Sequence, residues 1–159
     1  MKFTHYVFDW GDTLMVDFPD RTGPMHLWDR VAAVEGAKKT LAALHRRARC
    51  YLATNAQDSK EGDIVKALER VGLADYIEKV FCFQNVGCRK PSSEFFSAIL
   101  DETGATPAET VMVGDNLDTD IVGAMAVGMQ GIWYNPGGLE GSRENIRAIR
   151  SLSELISFK

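Results

Sequence analysis

The amino-acid sequence predicts an α/β fold: a parallel sheet with helices on both faces. Two observations carry this. Short runs rich in β-branched and aromatic residues alternate along the chain with stretches of helical periodicity. The runs are almost continuously apolar rather than alternating, as strands buried on both faces are.

Residues 3–8 (FTHYVF) read as the first strand. Ala37, Leu41 and Leu44 recur at helical spacing after Gly36, and Arg46 and Arg47 suit the negative end of that helix's dipole. Residues 50–54 (CYLAT) form a second strand. Asp58, with Glu61 three positions on, reads as the cap of a helix running through Arg70 and ended by Gly72. Residues 80–83 are a short third strand. Phe95, Phe96, Ile99 and Leu100 mark a further helix stopped by Gly104. Residues 106–109 (TPAE) carry a capping-box signature with proline at the first helical position. A fourth strand follows at 110–114 and a fifth at 131–134, with a helix over 121–127 between them, ended by Gly128. A last helix is expected near 144–156.

Composition sets the outer limits. The 159 residues are 45% hydrophobic and 25% charged, which excludes disordered, collagen-like and coiled-coil chains. A net charge of −4 disfavours nucleic acid as a partner. No apolar run reaches the ~18 residues of a membrane span, and the N-terminus lacks the apolar core of a signal peptide. Three cysteines without a C-x-x-C pair read as reduced thiols, and hence as a cytoplasmic protein. With no repeat and no linker, residues 1–159 read as one domain. Its one irregular stretch is 15–30, which holds Pro19, Gly23 and Pro24.

In an open α/β sheet, ligands gather at the carboxyl ends of the strands. Asp9 follows strand one, Thr54 ends strand two, Lys90 follows strand three after a short loop, and Asp115 follows strand four. Carboxylate oxygens suit a hard cation such as Mg²⁺. Thr54 and the backbone after it can donate to a phosphoryl oxygen, and Lys90 can neutralise its charge. Asp9 is then placed to attack phosphorus and form an acyl-phosphate. Any one of these residues alone reads as a strand-end turn. All four in one frame read as a site.

The same residues resemble a known family. Phe8-Asp9-Trp10-Gly11-Asp12-Thr13-Leu14, Leu52-Ala53-Thr54-Asn55, Arg89-Lys90-Pro91, and Val113-Gly114-Asp115-Asn116 with Asp120, Gly123 and Ala124 are similar, in order and spacing, to the four motifs of the haloacid dehalogenase-like (HAD) hydrolases. The resemblance runs over about 3–134. It implies a Rossmann-like three-layer sandwich with a five-stranded sheet in the order 5-4-1-2-3. It also implies Asp9 as nucleophile, with Mg²⁺ held by Asp9, the Gly11 carbonyl and Asp115. Thr54, Asn55 (through its backbone N–H) and Lys90 would hold the phosphoryl group, and Asp120 would support the metal from behind. The substrate would be a phosphate monoester or an acyl-phosphate.

One position departs from the family. Its phosphatases usually carry a second aspartate two places after the nucleophile, which protonates the leaving group. Gly11 stands there, and Asp12 one place later becomes the candidate acid. General acid catalysis is usually worth about 10²–10⁴-fold. The alternative is a HAD-like binding or regulatory protein that keeps the metal and phosphate site without turnover.

The roughly 20 residues between Leu14 and Gly36 are too few for a separate cap domain, which needs on the order of 50. The resemblance is therefore to capless members, whose sites admit small or bulkier substrates unless a second subunit covers them. Phosphonate hydrolases and dehalogenases of the family both depend on a cap. Receiver-type phospho-acceptors carry their acidic, hydroxyl and lysine positions in a different order. Residues 15–30, with Phe18, Met25, Leu27 and Trp28, are expected as a flap beside the site, as packing, or as a dimer contact.

Overall fold

The computed structural model describes residues 2–141 and 143–158. Its strands are β1 (His5–Phe8), β2 (Arg49–Ala53), β3 (Lys79–Phe81), β4 (Thr110–Gly114), β5 (Gln130–Tyr134) and β6 (Arg147–Ile149). All pair in parallel, in the order β3-β2-β1-β4-β5-β6. The expected order of five strands is present, and β6 adds a sixth beside β5.

The helices are α1 (Ala37–His45), α2 (Glu61–Arg70), α3 (Phe83–Val86), α4 (Ser93–Thr103) and α5 (Gly123–Ala126). They cover both faces of the sheet. Along β1 the side chains alternate between two cores: Tyr6 and Phe8 point to the face carrying Leu41, Leu44, Ile64 and Leu68, and Val7 to the face carrying Phe95, Phe96 and Ile99. Both sides of the strand are therefore dry over 6–8, which explains its apolar run there. Burying a side chain such as Phe95 contributes roughly 1.5–3 kcal/mol. Among the described residues no helix is long and apolar enough to cross a membrane.

Four local expectations are corrected. Residues 144–156 are not a helix: β6 is followed by a 3-10 helix, Leu152–Ser157. The Glu154 carboxylate accepts from the N–H groups of Arg150 and Ser151, which caps a new helix there and stops any helix from running through. The N–H of Asn135 donates to Ile149 O, so the sheet edge takes the backbone that periodicity assigned to a helix. Residues 107–109 form only a 3-10 turn, because Thr110 already pairs in β4. The first residue of α2 is Glu61, and it is Lys60, rather than Asp58, that precedes the helix, its N–H donating to Asp63 at 3.0 Å. Between β4 and β5 a π-helical turn, Leu117–Val122, leads into α5.

Candidate active site

β1 lies between β2 and β4, so its carboxyl end is the middle of the sheet edge. Asp9 leaves β1 there with its N–H bonded to Val113 O of β4 at 2.9 Å. Thr54 leaves β2 alongside, with its N–H on Phe81 O at 3.0 Å, and Asp115 leaves β4 on the other side. Parallel register carries all three side chains to one edge.

Lys90 reaches the same point from the loop that follows α3. Its Nζ lies 2.8 Å from Asp9 Oδ1, 2.7 Å from Asp120 Oδ1 and 2.8 Å from Ala53 O. The side chain is only 2% exposed, and three acceptors match the three protons of an ammonium. Burial alone pulls its pKa down, but the Asp9 and Asp120 carboxylates outweigh that and leave it above the ordinary value. Asn55 sets the backbone of this loop. Its Nδ2 donates to Lys90 O and its Oδ1 accepts from Lys90 N, each at 2.9 Å. This bracing role of the Asn55 side chain is one the sequence did not assign to it.

Asp9, Asp115 and Asp120 each present an oxygen within 4.8 Å of the others. Burial, then the hydrogen bond and charge of Asp9, push Asp115 up to about 7. Burial and Asp9 likewise push Asp120 up to about 6, against the opposing pull of Lys90. The Thr13 hydroxyl bridges the cluster, 3.3 Å from both Asp9 Oδ2 and Asp115 Oδ1, and Trp133 Nε1 donates to Asp115 O at 2.9 Å. One ammonium against three carboxylates leaves an excess of negative charge, and the donors are all oxygen. This set fits a hard divalent cation such as Mg²⁺. Asp9 and Asp115 are the ligands available to it. Asp120 is already engaged, with Oδ1 on Lys90 and Oδ2 accepting from Asn116 N at 3.2 Å. Gly114 makes this possible: a Cβ there would fall 2.2 Å from Asp120 Oδ2.

A cleft of about 360 Å³ opens beside Asp9, Gly11 and Thr54, walled by Trp10 and by the flap residues Asp17 and Trp28. The flap is tied to the body of the protein. Trp28 Nε1 donates to the carbonyls of Thr22 and Gly23, and Arg70 of α2 donates to those of His26 and Trp28. Met25 and Trp28 are buried in the core, Phe18 is half-buried against Trp28, and Leu27 faces solvent. Asp12 does not line the cleft. It sits at φ 57°, and its Oδ1 accepts from Asp17 N at 3.0 Å, so its carboxylate braces the loop. Of the residues expected at the site, Asp9, Thr54, Asn55, Lys90, Asp115 and Asp120 come together, Gly11 lines the cleft beside Asp9, and the Asp12 carboxylate accepts from Asp17 N in the adjoining loop. Thr13 was within the first motif and could have been read from its hydroxyl. Trp133 had no local signal.

A parallel sheet whose central carboxyl edge carries this aspartate–lysine cluster defines a class of hydrolase. The family model described as haloacid dehalogenase-like hydrolase matches residues 8–128, and the chain belongs to that family. Ribulose-1,5-bisphosphate 5-phosphatase of Halopiger xanaduensis is 34% identical over 109 residues, 68% of this chain and 44% of that protein. A HAD phosphatase from Thermococcus onnurineus superposes with a TM-score of 0.69 at 31% identity, over 79% of this chain and 57% of that one. YfnB of Bacillus subtilis, solved bound to magnesium, shares the fold at a TM-score of 0.79 and 17% identity, over 98% and 97% of the two chains. The chain spans about half the length of the curated relatives it matches.

Proposed function

We propose that this chain is a Mg²⁺-dependent phosphatase that works through an aspartyl-phosphate on Asp9. The observation that carries the reading is the position of Lys90, whose buried ammonium sits between Asp9 and Asp120. In this reading an Asp9 carboxylate oxygen attacks phosphorus and the bond from phosphorus to the leaving-group oxygen breaks. Water then attacks the same phosphorus, the bond to Asp9 breaks, and inorganic phosphate leaves. Asp9, Asp115 and the Gly11 carbonyl would hold the cation, which would supply charge neutralisation for the phosphoryl oxygens.

The chain's own residues do the rest. Lys90 neutralises a second side of the phosphoryl group. Thr54 Oγ1 accepts from Ala56 N at 3.0 Å, which leaves its proton for a phosphoryl oxygen. Asn55 holds the Lys90 loop in register. The names of the relatives, phosphatases of small phosphorylated metabolites, support a small phosphate monoester as substrate, and a cleft of this size accepts one.

We read residues 1–159 as one uncapped hydrolase domain, since the connection from β1 to α1 holds only the 3-10 turn Met25–Leu27. That leaves the cleft open to bulkier phosphorylated partners or to a second subunit. Three free cysteines accord with the cytoplasm. An aryl phosphate assayed with Mg²⁺ and with excess chelator tests the reading. Turnover should require the cation and disappear in Asp9→Asn. Full activity in chelator, or in that variant, refutes it.

A further inference from the structure

A phosphate ester of an ordinary alcohol leaves as an alkoxide, too basic to depart unaided, so an enzyme that cleaves it needs a proton donor beside the nucleophile. Gly11 has no side chain to give one, and Asp12 is turned into the loop. The chain, however, folds back on itself directly after Asp12. The N–H groups of Thr13, Leu14 and Met15 all point to Trp10 O, the N–H of Asp12 donates to Met15 O, and Met15 pairs with Gly11. This reversal returns Asp17 to the first turn.

A Cβ built on Gly11 would lie 3.5 Å from both Cβ and Oδ2 of Asp17. The Asp17 carboxyl therefore stands in the space that a side chain at position 11 would reach. It lines the cleft together with Asp9, Gly11 and Thr54. Among the described residues its carboxyl makes no hydrogen bond or ion pair with any other side chain, while its N–H is fastened to Asp12 Oδ1.

Resting on the phosphatase reading above, we propose that Asp17 is the general acid and base of this enzyme, delivered by the flap to the place left open by Gly11. In the first step the Asp17 carboxyl proton passes to the leaving-group oxygen as its bond to phosphorus breaks and the bond from Asp9 forms. In the second, the Asp17 carboxylate takes a proton from the water that attacks phosphorus, and Asp9 leaves as its original carboxylate. The proton balance closes over one turnover.

The test compares an aryl phosphate, whose phenolate leaves without help, with a panel of small alkyl phosphates, in wild type, Asp17→Asn and Asp12→Asn. Wild type should hydrolyse both kinds of ester. Asp17→Asn should lose about 10²–10⁴-fold in kcat/KM on alkyl phosphates and keep most of its kcat/KM on the aryl phosphate. Its dephosphorylation should slow, so acid-quenched mass spectrometry should find it accumulating a protein one phosphoryl group heavier. Asp17 lies on an exposed loop, and its asparagine variant should melt with wild type.

Asp12→Asn keeps an acceptor oxygen for Asp17 N and should leave the alkyl-to-aryl ratio unchanged. Selective loss of alkyl turnover in Asp12→Asn, equal loss on both esters in Asp17→Asn, or a wild type inactive on every alkyl phosphate overturns the assignment of Asp17 alone. A wild type inactive on the aryl phosphate as well overturns the phosphatase reading with it.

Discussion

The densest physics in this protein is around one lysine nitrogen. A buried ammonium without partners costs several kcal/mol, and a buried pair broken on one side typically costs about 3–5 kcal/mol. Lys90 avoids this with two carboxylates and a carbonyl within 2.8 Å. Lys90→Met therefore leaves Asp120 buried without its counter-charge, and we expect a loss of about 3 kcal/mol in denaturant unfolding along with lost turnover. Gly114→Ala acts on the same cluster from behind. Its methyl group would meet Asp120 Oδ2 and Cγ, both closer than any real contact, in a β4 position with no room to yield. Overpacking of this kind costs typically about 1–3 kcal/mol. The variant should unfold at lower denaturant and bind Mg²⁺ more weakly, as read by calorimetric titration.

At the scale of elements, the flap is the part whose role changes most once it is folded. From sequence, its apolar residues are expected as a flap beside the site, as packing or as a dimer contact; Met25 and Trp28 are core residues, and the Trp28 indole closes the loop on its own carbonyls. Trp28→Ala should cost about 3–5 kcal/mol, the range for emptying a large aromatic site, and should release the Asp17 side of the cleft. Phe18 is different. It is half-buried, its ring lies 6.5 Å from that of Trp28, and the Arg30 guanidinium sits 5.0 Å above it. Phe18→Ala should leave the kinetics nearer wild type and cost less stability than Trp28→Ala, since Phe18 lies outside the cleft lining and is only half-buried. Steady-state kinetics across several esters, paired with melting curves, checks both.

For the whole molecule, the carboxylate cluster couples folding to pH and to the cation. Asp115 and Asp120 hold their protons more tightly when folded, at about 7 and about 6 against 3.8 in the ordinary carboxyl. Their contribution to stability is therefore greatest at low pH, and it is lost as pH rises from about 4 through about 7. Without metal, the melting temperature should fall across that window. Mg²⁺ needs the deprotonated ligands, so its stabilising effect should grow over the same window. At a free concentration ~100 times its Kd the cation contributes about 2.7 kcal/mol, roughly 5–10 °C for a chain of this size. Melting curves at acidic and neutral pH, with Mg²⁺ and with chelator, test the sign. An equal Mg²⁺ shift at both would refute it.

What the sequence determined by itself is what short-range chemistry encodes. Near-continuous apolar runs at 6–8 and 111–113 specify strands buried on both faces, because a doubly covered parallel sheet hides such runs from water. Asp9, Thr54 and Asp115 follow strand ends directly, so naming the strands places them at one edge, and the ordered motifs bring in Lys90 and Asp120. Tertiary structure decided what depends on competition between distant groups. Residues 144–156 have helical spacing, but the open edge of β5 offered hydrogen bonds to 147–149 and the Glu154 cap took the rest. Trp133, eighteen positions from Asp115, reaches its carbonyl only because β5 lies beside β4. The first turn shows the limit most clearly. Sequence proximity favoured Asp12 as the residue nearest the gap at Gly11, but a chain reversal pinned on Trp10 O bonds Asp12 to Asp17 N and brings the Asp17 carboxyl beside Gly11, because hydrogen-bonded backbone, rather than sequence distance, decides which side chains become neighbours there.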